Sequence, residues 1–114
     1  MATKRYVIVA HAFDAKGRLI SVATNSYEKT HPMQAYFAEK VGHSQRIFLH
    51  AEIQALLRCK DRKVHSLKVW RYGVDGTFRC AKPCPICMEA IKAFGVQQVW
   101  YSDIGNQMVS LSGQ

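Results

Sequence analysis

His50-Ala51-Glu52 and Pro83-Cys84-Pro85-Ile86-Cys87 decide the reading of this chain. One imidazole and two thiolates form a three-ligand set for a zinc ion, and a tetrahedral ion then keeps its fourth position for water. Glu52 stands two residues past the imidazole, close enough to move protons without binding metal. Each motif opens a helix. Pro85 suits a first helical position, where its missing N–H costs nothing. The unpartnered N–H groups of a helix start favour negative charge and lower cysteine pKa values. Cys84 and Cys87, three apart, reach one point from the first turn of one helix, and His50 comes from another.

Either half alone is weak, since C-x-x-C is also a structural half-site or a redox pair, and H-x-E arises by chance. A closed structural zinc site needs a fourth ligand, for which Cys80 is the nearest choice. A zinc-stabilised binding module is therefore the competing class, and it leaves Glu52 without a purpose.

Around these motifs the pattern alternates strands and helices. Arg5 to His11 reads as a buried strand, Asp14-Ala15-Lys16-Gly17 as a turn, and Arg18 to Ala23 as the second arm of a hairpin. A helix opens at His31-Pro32, carries Met33, Tyr36, Phe37 and Val41 at helical spacing, and ends at Gly42. The His50 helix has Ile53, Leu56 and Leu57 on its inner face, and Leu67 to Tyr72 follows as a strand. The Cys84 helix ends at Gly95, and Gln98 to Tyr101 and Met108 to Leu111 are the last strands. The expected order is β-β-α-α-β-α-β-β. Trp70 and Trp100 lie in strands, where they are expected to pack.

The chain has 114 residues, one domain's worth, spanning 1–114. Its longest apolar run, Tyr6 to Ala10, is too short to span a bilayer. Met1 to Arg5 runs straight into a strand-like segment and has no secretory pattern. With Cys59 and Cys80 left over as free thiols, a cytoplasmic location is expected. The net charge of +8 favours anionic partners such as nucleotides or nucleic acid.

Together the two motifs match the H-x-E…P-C-x-x-C pattern of zinc base deaminases. Over nearly its whole length the chain resembles the cytidine deaminase superfamily. That resemblance implies a three-layer α/β/α fold around a five-stranded mixed sheet. It implies Zn2+ held by His50, Cys84 and Cys87, with Glu52 as proton shuttle in hydrolytic deamination of cytosine to uracil and ammonia. By the same resemblance the Ala51 N–H binds the base carbonyl, the Lys82 backbone carbonyl accepts from the amino group, and Asn25 contacts the sugar. Relatives are frequently oligomers, so a homo-oligomer is expected.

His at the first ligand position resembles deoxycytidylate, transfer-RNA and single-strand DNA deaminases. The short link between the last two strands implies a C-terminal antiparallel hairpin, which is similar to the nucleoside branch. The expected substrate is a small pyrimidine, free deoxycytidine or its monophosphate, with single-stranded DNA or RNA as the alternative. Lys29 and His31 are candidates for a 5′-phosphate at a helix start, against a solvated lysine and a capping histidine. Arg46 is another phosphate candidate, or a plain loop residue. Phe13, Tyr27 and Tyr101 are candidates for stacking on the base, and Asp103 for orienting a pocket group or capping a turn.

Overall fold

Strand β1 (Val7–Phe13) and strand β2 (Leu19–Thr24) form the expected hairpin. The computed structural model describes residues 7–43, 45, 48–73, 75–103 and 107–111. Asp14 shapes the hairpin turn, its Oδ1 accepting the N–H groups of Lys16 and Arg18, both at 2.9 Å. Gly17 takes φ +79° there, a conformation that a side chain would strain. Two helices follow, α1 (Pro32–Lys40) and α2 (Ala51–Arg58). Strands β3 (Ser66–Tyr72) and β4 (Phe78–Arg79), helix α3 (Pro85–Ala93), and strands β5 (Gln98–Asp103) and β6 (Gln107–Ser110) complete the order.

The sheet is open and mixed, in the order β2-β1-β3-β5-β6, with β4 paired to the end of β3. Among the described strands only β3 and β5 run parallel, joined through α3. The C-terminal hairpin is antiparallel, with Tyr101 opposite Val109. The sheet has six strands rather than five. The extra one, β4, has two residues, too few to show a period-2 pattern in the sequence.

The helices settle the layering. Ala10, Ala12, Ala23, Leu67, Val69 and Val99 are buried on one face of the sheet. Helix α2 lies on that face, and Ser21 Oγ donates to the Ala55 carbonyl at 2.8 Å. Alanines in β1 and β2 let α2 approach closely. Ile53 and Leu56 are buried beneath it, each worth about 1.5–3 kcal/mol relative to exposure. Helix α3 packs beside α2, and α1 packs against α3.

The other face carries Val9, His11, Phe13, Lys68, Trp70, Tyr72 and Trp100, all partly or fully exposed. Among the described residues no helix covers it. The second helical layer of the expected three-layer α/β/α arrangement is therefore not seen among the described residues, where the buried residues of all three helices join one core cluster with Ala10, Leu67 and Val99. Trp70 and Trp100 lie in strands as expected, half-buried on this side of the sheet, with Trp70 edge-on to His11. Among the described residues, no helix is long and apolar enough to cross a membrane.

Candidate metal centre

The strand-to-helix geometry brings the two motifs together. The loop after β2 runs beside the segment before α2. Ser26 N–H donates to the Leu49 carbonyl and Leu49 N–H to the Lys29 carbonyl, both at 2.9 Å. This delivers His50 as the residue capping α2, with extended backbone and no side-chain bond to the helix amides. Cys84 caps α3 in the same way, followed by Pro85. Both imidazole and thiol are therefore turned from capping to each other. His50 Nδ1 lies 3.3 Å from Cys87 Sγ and 3.5 Å from Cys84 Sγ.

The ligand atoms of His50, Cys84 and Cys87 all fall within 4.8 Å of one another, a group that can hold a metal ion. An imidazole with two thiolates at two helix starts fits zinc. Cys80 is exposed and outside this group, so the four-ligand alternative gains no support.

A hydrogen bond from the Cys87 thiol, with a further one from His50, pulls the Cys84 pKa down to about 4. Cys87 is pushed up, first by that same bond to Cys84 and then by burial. A bound metal would require both sulfurs as thiolates. Glu52, in the first turn of α2, is only 5% exposed. Burial pushes its carboxyl up, against the opposing pull of its own backbone N–H and of His50.

A cavity of about 450 Å³ opens beside His50, lined by Ile8, Asn25, Ser26, Tyr27, Gln45, Phe48 and Arg71. Its size is that of a small-ligand site. Another cavity of about 460 Å³, between Asp14, Arg18, Lys63 and His65, contains none of the cluster residues. Asn25 is held by Ile8 twice: its N–H donates to the Ile8 carbonyl at 3.0 Å, and its Oδ1 accepts the Ile8 N–H at 2.9 Å. Ala51 is fully buried at the start of α2.

The remaining candidates lie apart from this lining. His31 Nδ1 accepts the Met33 N–H at 3.0 Å, capping α1. Lys29 is exposed, its N–H donating to Ser26 Oγ at 2.8 Å. Lys82 is exposed just before Pro83. Tyr101 packs against the core, Asp103 ends β5, and Phe13 is on the far face of the sheet. Arg46 lies outside the described residues.

Two residues at the site escaped the sequence reading. Gln34, fully buried on α1, accepts the His50 N–H through Oε1 at 3.1 Å. Its signal was a polar residue on the same helical stripe as Phe37 and Val41. Arg71 was visible only as the second of two cations, after Lys68, in the strand that ends at Tyr72.

The chain matches no model of a known protein family and no curated protein. What stands is an α/β protein with a His and two Cys placed to bind a metal, an arrangement compatible with a zinc deaminase.

Proposed function

We propose that the chain is a zinc-dependent hydrolase that deaminates the cytosine base of deoxycytidine or its monophosphate. The observation that carries this reading is Glu52, buried beside a three-donor set that leaves a coordination position open. A purely structural site has no use for a buried acid there. When bound, zinc would lower the pKa of a coordinated water to about 7.

Glu52 does the proton work. Burial raises its pKa, which moves the carboxyl in the direction a group that both accepts and donates protons requires. It takes a proton from the attacking water and places it on N3 of the base as oxygen bonds to C4. It then passes the second water proton to the amino group as the C4–N bond breaks. Cytosine and water give uracil and ammonia.

Around this centre the Ala51 N–H meets the base carbonyl, the Lys82 backbone carbonyl accepts from the amino group, and Asn25 contacts the sugar. Tyr27 and Phe48, 42% and 47% exposed, offer aromatic walls. For a 5′-phosphate, Arg71 is better placed than Lys29 or His31, because it lines the cavity beside His50.

Product analysis by mass spectrometry tests this reading. Zinc-loaded protein would be given deoxycytidine, deoxycytidine monophosphate and a cytosine-containing single strand separately, with Glu52→Ala as control. Uracil from a small substrate, lost in Glu52→Ala, is the expected result. Product from the strand alone would move the reading to a polynucleotide editor, which the +8 charge favours. Full activity in Glu52→Ala would contradict the mechanism.

A further inference from the structure

The open face of the sheet has a composition unlike an ordinary solvated surface. In the antiparallel register Val9 faces Trp70 and His11 faces Lys68, and in the parallel register Lys68 faces Trp100. Phe13, Lys68, Trp70, Tyr72 and Trp100 therefore share one side, and Met108 joins them beside Trp100. Lys68 Nζ lies 5.4 Å from the Phe13 ring centre, and Trp70 stands edge-on to His11 at 4.7 Å. A cavity of about 380 Å³ lies between Lys68, Trp70, Trp100 and Met108. Both tryptophans of the chain are on this face.

Charge decides what such a face suits. Asp103 is the one carboxylate in the described strands, and it falls on the helix side, in step with Val99 and Tyr101. The face thus offers aromatic rings and a lysine with no acid among them, on a chain of net charge +8. A second copy packed face to face about a two-fold axis through β3 would bring Lys68 against its own equivalent, an unfavourable pairing. Bases stack on exposed aromatic rings whatever their sequence, and a cation beside the rings meets the phosphates.

We propose that this face binds a single-stranded polynucleotide, with bases stacked on Trp70 and Trp100 and a phosphate on Lys68. It lies across the sheet from the metal centre and does not depend on the deaminase reading.

The test is a fluorescence titration of the full chain with oligothymidylate, which contains no cytosine to deaminate. Quenching of tryptophan emission is expected, because both tryptophans are partly exposed on this face. Trp100→Ala should weaken binding about 5- to 150-fold, the range that stacking of one base supports, while Trp100→Phe retains most of it. Lys68→Gln, at an exposed position, should flatten the slope of log affinity against log salt by about 0.7. Absence of quenching at low salt overturns the assignment, as does quenching indifferent to Lys68 and Trp100. Emission that shifts with protein concentration alone, before any oligonucleotide is added, would instead give the face to a second copy.

Discussion

Replacing Gln34 by leucine should loosen the metal centre without touching a ligand. Gln34 is fully buried, and its Oε1 accepts the backbone N–H of His50 at 3.1 Å. Leucine keeps the buried volume close to that of glutamine but offers no acceptor. Leaving a buried N–H unsatisfied costs about 1–3 kcal/mol, more than the net value of a typical hydrogen bond. In a chain of this length that corresponds to a melting temperature lower by about 3 °C or more. The same bond fixes where His50 enters α2, and hence where its imidazole points. Loss of such supporting contacts typically reduces metal affinity about 10- to 100-fold. Thermal unfolding of the metal-free protein reads the first effect, and competition with a zinc chelator reads the second. Unchanged values in both assays would refute the role given to Gln34. Lower stability with unchanged zinc affinity would leave it a core residue only.

The ligand set predicts a sharp contrast among cysteines. Cys87→Ala should abolish stoichiometric zinc binding, and with it the roughly 2.7 kcal/mol of stabilisation that zinc at a hundred times its dissociation constant gives wild type; Cys80→Ser should change neither, as equilibrium dialysis with unfolding in zinc would show. In the metal-free protein, Glu52→Gln should be stabilising at neutral pH. The folded pKa of Glu52 is raised above its unfolded value of 4.5, so wild-type stability is full below 4.5 and falls as pH climbs through the folded pKa. The advantage of Glu52→Gln should therefore vanish in unfolding measurements at acid pH. Leu56→Ala, under α2, should cost about 2–5 kcal/mol in denaturant unfolding, because it empties a site packed against the sheet.

The centre was legible in the sequence because its chemistry is local. His50 and Glu52 sit on one helix start, Cys84 and Cys87 on another; each motif alone is weak, and their joint occurrence marked the centre. The strands and helices were legible wherever they were long enough to show a period. Strand β4 was not, since Phe78 and Arg79 cannot reveal alternation. The layering was hidden for a different reason. Trp70 and Trp100 alternate with Val69 and Tyr101 along their strands, and period 2 separates two faces without saying which is covered. Gln34 and Arg71 were missed because their importance depends on which distant residues they meet, and a single chain does not print that. His31 shows the reverse case, with two roles open in the sequence and the capping bond to Met33 seen in the fold.

The measurement that tests the central claim most directly is uracil release from deoxycytidine and deoxycytidine monophosphate by protein carrying one equivalent of zinc. Uracil and ammonia in equal amounts, absent in Glu52→Ala, is the predicted result. No uracil from either substrate, with zinc bound and the fold intact, would contradict it.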